Sequence, residues 1–118
     1  MSDYDSSNVF ARILRDEIPS DRVYEDDEFI AFRDINPAAP THIVLIPRGE
    51  PPASPAGFED GDAGWAGRMF VVASRIAAQE GLDEGGYRLV VNSGPDAGQE
   101  VPHIHMHILG GGELGPIA

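Results

Sequence analysis

His103-Ile104-His105-Met106-His107-Ile108-Leu109 alternates imidazole with aliphatic side chains and closes on two aliphatics. Along a β-strand successive side chains point to opposite faces. Read as a strand, His103 to Leu109 therefore carries three imidazoles on one face and Ile104, Met106 and Ile108 on the other. The aliphatic face has an ordinary explanation, since it would pack under a covering helix. The imidazole face has none of that kind, because buried rings need polar partners. Three readings are open. The rings could lie on a solvated surface. They could bind metal, since His-x-His on a strand can place two imidazoles on one zinc or iron. Or they could perform phosphoryl chemistry, one ring as nucleophile and the others handling protons.

Working outward, Gly85-Gly86 leads into a strand from Tyr87 to Asn92, and Ser93 to Val101 is a Gly/Pro loop before the histidines. The spacing Trp65, Met69, Val72, Ile76, with Ala73 and Ala77 between, predicts a long amphipathic helix from Asp62 to about Glu80, ended by Gly81. Residues 48–60 hold Pro51, Pro52 and Pro55 and predict a surface loop. Thr41 to Pro47 predicts a central strand, apolar on both faces, after a turn from Asp34 to Pro40. Arg22 to Glu25 and Phe29 to Arg33 predict two more strands, with the acidic run Glu25-Asp26-Asp27-Glu28 as a solvated hairpin turn. Val9, Phe10, Ile13 and Leu14 predict one face of a short helix, capped by Ser7 and stopped by Pro19. Residues 1–7 read as a flexible leader and 112–118 as a Gly-rich tail. No repeat and no composition break divides 1–118, so the expectation is one α+β domain. Its five-stranded antiparallel sheet carries one long and one short helix.

Composition narrows the partners. Twenty Asp and Glu oppose eight basic residues, all of them Arg, for a formal charge of -12. That charge repels nucleic acids and anionic membrane surfaces at long range, so neither is expected as a partner. There is no cysteine, which removes disulfides, thiolate nucleophiles and Cys-based zinc sites. No apolar run approaches a membrane span, and the first residues lack the basic start and apolar stretch of a secretion signal. Cytoplasmic residence is the default expectation. After Arg88 there is no Arg or Lys at all. A phosphate near the triad would have to be met by backbone N–H groups of the 93–101 loop, by imidazolium, or by residues from elsewhere. A mononucleotide ester is manageable that way and a long polyanion is not.

The run from His103 to Leu109 resembles the signature of the histidine triad (HIT) family, His-apolar-His-apolar-His-apolar-apolar. The similarity extends to Phe32-Arg33-Asp34-Ile35, Pro40-Thr41-His42, Asn92, Gly98-Gln99 and Gly110-Gly111, and covers the chain from about Val9 to Gly111. It is that of the Hint branch, the small purine-nucleotide phosphoramidases. The resemblance implies a HIT-like fold and a homodimer in which the Tyr87 strand and the long helix pair across a twofold axis into a ten-stranded sheet. It implies that His105 attacks the α-phosphorus of a nucleoside phosphoramidate or acyl-nucleotide, an AMP-amine or an aminoacyl-adenylate, giving a nucleotidyl-histidine that water resolves. His103 would orient His105, while His107 and His42 would face the phosphate and assist the leaving group. Asn92 would donate to the phosphate or ribose, and Asp34 would accept from the ribose hydroxyls. Gly98 and Gln99 would belong to the nucleotide site, and Val9, Phe10, Ile13, Phe32 and Ile35 would line the base pocket. No cofactor and no metal is implied.

Three departures stand out. Glu100 follows Gln99 where Hint proteins commonly carry a small hydroxyl residue, and a carboxylate there repels phosphate unless it points away. The tail after Gly112 is short and lacks an aromatic found in some relatives, and Gly49-Glu50-Pro51-Pro52 stands where many relatives have a basic residue and a histidine. Within the family the alternative is a dinucleoside polyphosphate hydrolase. Outside it, a nucleotide-binding regulator with little turnover remains open, as does a cupin-like metal site. The cupin motif wants a Glu three or four residues past its second His, but 109 is Leu, 110–112 are Gly, and the first Glu is Glu113.

Overall fold

The computed structural model describes residues 3–118; Met1 and Ser2 lie outside the described residues. Five strands form one antiparallel sheet: β1 (Arg22–Glu25), β2 (Phe29–Arg33), β3 (Thr41–Pro47), β4 (Tyr87–Val90) and β5 (Met106–Gly110), in the order β1-β2-β3-β5-β4. A short helix, α1 (Val9–Leu14), precedes the sheet, and a long one, α2 (Ala63–Gln79), lies between β3 and β4. Among the described residues no helix is long and apolar enough to cross a membrane.

Period-two alternation divides the core in two. Phe29 and Ala31 of β2, Ile43 and Leu45 of β3, and Met106 and Ile108 of β5 point to one face. There they meet Met69, Val72, Ala73, Ile76 and Ala77 of α2. Ile30, Phe32, Val44 and Ile46 point the other way, against Phe10 and Ile13 of α1. A large aliphatic or aromatic side chain buried like these contributes about 1.5–3 kcal/mol. The imidazoles share the α1 side, so the histidine cluster and a second small core occupy one face.

Several local expectations change. The cap of α1 is Asn8, whose Oδ1 accepts from Ala11 N, rather than Ser7; the helix ends at Leu14, well before Pro19, and Asp16 follows at φ 60°. The long helix starts one residue after Asp62, and β4 stops at Val90 rather than Asn92. The 48–60 loop is not wholly irregular, since Pro55–Gly57 makes a 3₁₀ turn capped by Ser54. The acidic turn is more than solvated charge. Asp26 accepts from the N–H groups of Glu28 and Phe29 at 2.7 and 2.8 Å, from Tyr24 Oη at 2.5 Å and from Arg68 Nη2 at 3.0 Å. Burial alone would raise its pKa, but those bonds hold it at about 2. Most visibly, β5 begins at Met106, so His103, at a bend, and His105 lie in a lead-in outside the ladder.

Gly111, just past β5, has φ +83°, and a Cβ there would lie 2.9 Å from Thr41 Oγ1 and 3.2 Å from Thr41 N. Both the left-handed backbone and the backbone contact oppose a side chain. Gly111→Ala is expected to lower stability by about 1–3 kcal/mol in urea unfolding, and an unchanged midpoint would show that neither constraint holds.

Candidate active site

Strand pairing brings two of the histidines together. Val44 of β3 stands opposite His107 of β5, so His42, two residues away on the same face, sits diagonally beside it. Their rings are 5.1 Å apart between centroids, and His105 is 5.0 Å from His107. Phe10 of α1 stands edge-on to both His105 (4.9 Å) and His103 (6.1 Å). All but His107 are buried; His107 is partly exposed.

Burial keeps these rings neutral. It lowers the pKa of His42 against the pull of Asp34, and that of His105 against its bond to the His103 carbonyl. It takes His103 to about 4 despite the bond to Pro47 O. His107 also falls to about 4, by burial and then by the proximity of His105 and His42.

A neutral imidazole carries one proton, and backbone groups decide where it sits. Ala38 N–H donates to His42 Nδ1 at 2.9 Å, which leaves the proton on Nε2; that N–H donates to His107 Nδ1 at 2.9 Å, with Asp34 Oδ2 3.5 Å away. His107 Nδ1 is thus an acceptor, and its proton is on Nε2. His105 Nδ1–H donates to the His103 carbonyl at 2.8 Å, which leaves the lone pair on His105 Nε2. His103 Nε2–H donates to Pro47 O at 2.8 Å, so its Nδ1 accepts, from the Tyr4 hydroxyl at 2.5 Å. Two neighbouring rings therefore present opposite character, a bare nitrogen on His105 and an N–H on His107.

Both rings line a cavity of about 450 Å³. Val9, Phe10, Ile13, Phe32 and Ile35 make an apolar part of its wall, although the Ile35 side chain is 91% exposed and only borders it. Asp34, Asn92 and Gly98 also line it. Asp34 Oδ1 accepts from Asn36 N–H at 2.8 Å, so this residue makes an Asx turn while its other oxygen faces His42. Gly98 has φ +79° and closes a 3₁₀ turn, Pro95–Ala97.

The other sequence candidates stand off the cavity. His42 and His103 touch it only through His107 and His105. Gln99 Oε1 accepts from Gly94 N–H at 2.9 Å, and its Nε2 donates to Ala53 O at 2.6 Å and Val101 O at 3.0 Å, so its amide clamps the loop. Ala97, Gly98 and Gln99 spend their N–H groups on Gly94 and Pro95. Fewer loop amides face a phosphate than the sequence suggests, and the imidazoles are neutral rather than cationic.

Sequence reasoning missed Tyr4, whose residue was assigned to the leader, and Ile18, Pro19, Ser20, Val44 and Val101 in the cavity wall. A 99-residue separation hides the Tyr4 contact from any local pattern. Glu100 lines the cavity too, at an exposed position of its rim. Arg33, also a lining residue, pairs with Glu80 at 2.8 Å and lies 3.7 Å from Asp21, so its charge is largely met.

The profile of the HIT domain family matches residues 15–114. The chain belongs to the HIT domain family. A purine nucleoside phosphoramidase of Escherichia coli K12 is 54% identical over 110 residues, covering 92% of this chain and 91% of the relative. A histidine triad protein from Clostridium difficile superposes over the whole of both chains with TM-score 0.90 at 39% identity. A maize (Zea mays) HIT relative called a 14 kDa zinc-binding protein is 47% identical over 120 residues, covering 93% of this chain and 86% of that one.

The maize name invites a test for metal in this HIT site. Asp34, His42 and His107 each offer one donor atom, all within 4.8 Å of one another. The set does not fit a divalent ion as hydrogen-bonded here. His42 Nδ1 is occupied by Ala38 N–H, and a protonated Nε2 has no lone pair to give.

Proposed function

We propose that this protein hydrolyses purine nucleoside phosphoramidates and acyl-nucleotides, AMP-amines and aminoacyl-adenylates among them, to the nucleoside monophosphate. The reading is carried by one observation, the bare Nε2 of His105 beside the Nε2–H of His107 at the same cavity. His105 Nε2 attacks the α-phosphorus and forms a P–N bond, while the bond from phosphorus to the leaving nitrogen, or to the leaving carboxyl oxygen of an acyl-nucleotide, breaks. His107 Nε2 gives its proton to that leaving atom, so the amine or the carboxylic acid departs neutral. The positive charge on nucleotidyl-His105 is met by the His103 carbonyl, which accepts from Nδ1–H. Water then attacks phosphorus, its proton returns to His107, and the P–N bond to His105 breaks.

In this scheme His42 holds the tautomer of His107 and His103 holds His105. Asp34 accepts from the ribose hydroxyls, Asn92 donates near the phosphate, and the base packs among Phe10, Ile13 and Phe32, with Val9 and Ile35 at the rim. Gly98 and Gln99 shape the loop beside the phosphate. The name of the Escherichia coli relative supports the substrate class. The scheme uses no metal or other cofactor, takes no nucleic acid or membrane as partner, and operates in the cytoplasm. The test is AMP release from adenosine 5′-phosphoramidate with a chelator present. Chelator-resistant release is expected. Bound AMP without release would make the protein a sensor, and neither binding nor release would overturn the reading.

The functional unit is a homodimer. Among the described residues β4 is an edge strand paired only with β5, and an open edge is a liability unless covered. Tyr87 at the start of β4 is 36% exposed, and on α2 Phe70 and Val71 are 55% and 48% exposed. Joining two β4 edges would make a ten-stranded sheet and cover these side chains. Wild type is expected to sediment at twice the chain mass, and the Phe70→Glu/Val71→Asp double variant as a folded monomer. A monomeric wild type would remove the dimer from the reading.

A further inference from the structure

Residues 4–10 run over the α1 side of the triad, and a polar side chain leads them. The Tyr4 ring stands edge-on to His103 at 5.6 Å, with its hydroxyl 2.5 Å from His103 Nδ1. The direction of that bond follows from the far side of the imidazole. Nε2–H is given to Pro47 O, so Nδ1 is a lone pair and Tyr4 donates to it. Burial raises the phenol above its ordinary pKa, which keeps it a proton donor. The phenol oxygen in turn accepts from Asn8 Nδ2 at 2.9 Å, and Asn8 Oδ1 caps α1 through Ala11 N–H at 2.9 Å. One chain of hydrogen bonds thus runs from the α1 cap through Asn8 and Tyr4 to His103 and the end of β3.

That chain ends on the nucleophile. The His103 carbonyl takes the Nδ1 proton of His105 and so leaves its Nε2 bare. The lead-in from His103 to His105 precedes β5 and lacks the support of its ladder. It is tied instead by His103 N–H to Val101 O at 2.9 Å and Ile104 N–H to Pro52 O at 3.1 Å. Small rotations of the His103 unit would carry its carbonyl away from His105. Without the phenol, Nδ1 would be a buried acceptor with its donor gone, and the ring could exchange its tautomer or turn off Pro47 O.

We propose that Tyr4 is a positioning residue, whose hydroxyl fixes the Nε2–H form of His103 and through its carbonyl the attacking lone pair of His105. Neither Tyr4 nor His103 lines the cavity, so the effect falls on turnover rather than on nucleotide binding. The inference rests on His105 as nucleophile.

The test compares Tyr4→Phe and Asn8→Ser with wild type in the full chain, using adenosine 5′-phosphoramidate and ¹⁵N NMR of the imidazole rings. For Tyr4→Phe, kcat is expected to fall roughly three- to tenfold, the cost of one hydrogen bond, with KM and AMP affinity within about twofold. The His103 ring signals, protonated Nε2 and bare Nδ1 in wild type, are expected to shift or broaden. Asn8→Ser keeps a hydroxyl cap but removes the amide that steadies the phenol, so it should lose less in the same direction. An unchanged kcat in Tyr4→Phe, a loss carried wholly by KM, or wild-type His103 signals with only a lowered Tm would each overturn the proposal. A wild type that does not turn over phosphoramidate would sink the nucleophile reading instead, and the ring signals would still decide whether Tyr4 sets the tautomer.

Discussion

His105→Ala is expected to lower kcat on adenosine 5′-phosphoramidate by about 10⁴-fold or more while AMP still binds within a few-fold of wild type. The cavity wall explains the second half. Phe10 loses its edge contact with His105, but it stays packed with Ile13 and Phe32 in the apolar cluster, and Asp34 and Asn92 line the cavity without a bond to His105. The first half follows from chemistry that no neighbour can replace. His107 Nδ1 is occupied by His42 and its Nε2 carries a proton, while both nitrogens of His103 are engaged away from the cavity. Alanine also strands the buried His103 carbonyl. His105→Asn is the better control, since its amide N–H can still donate there without offering a nucleophilic nitrogen. Acid quenching during turnover should trap a nucleotidyl protein in wild type and in neither variant. Turnover by His105→Asn within tenfold of wild type would rule out the attack by Nε2.

Acid should unfold this protein earlier than its carboxylates would suggest. His103 and His107 titrate at about 4 in the fold, whereas unfolded imidazole titrates near 6.5. Between those values the unfolded chain binds protons that the folded one refuses, so stability falls as pH falls. The contribution is whole above about 6.5, is lost down to about 4, and is worth roughly 3 kcal/mol per ring. Relief of self-repulsion in a chain of charge -12 works in the opposite direction as carboxylates protonate. The pH slope therefore needs a reference. His103→Gln keeps an N–H that can reach Pro47 O and cannot take up a proton. Urea unfolding between pH 7.5 and 4.5 should show a shallower pH dependence for it than for wild type. Parallel slopes would mean that His103 is not held neutral by the fold.

The alternation of imidazole and aliphatic side chains is legible because period two belongs to strand backbone, which runs from Met106 to Gly110. His103 sits at a bend before it, so the common side of the three rings is readable although the start of β5 is not. Pro102 and the tie of His103 to Val101 keep the lead-in off the sheet until Met106. Spacing found α2 almost to the residue, since its buried stripe repeats at helical intervals over four turns. The cap of α1 was misplaced by one because Ser7 and Asn8 are both good caps, and only geometry decides between them. Contacts made across the fold left no local trace. Tyr4 reaches His103 from 99 residues away, Asp26 gathers Arg68 from α2, and the tautomer chain needs the backbone of Ala38 and Pro47.

The Gln99 clamp has a thermodynamic consequence. One amide joins Gly94, Ala53 and Val101, and Ser93 Oγ donates to Ser54 Oγ across the same seam at 2.8 Å. The loop from Ser93 to Val101 is therefore tied down by the protein itself, without help from a ligand. A ligand entering beside it need not freeze a mobile segment, so little of its contact energy is consumed as lost conformational entropy. Under the proposed reading, affinity at this wall is set by the contacts a ligand makes, with little drawn off to order the protein.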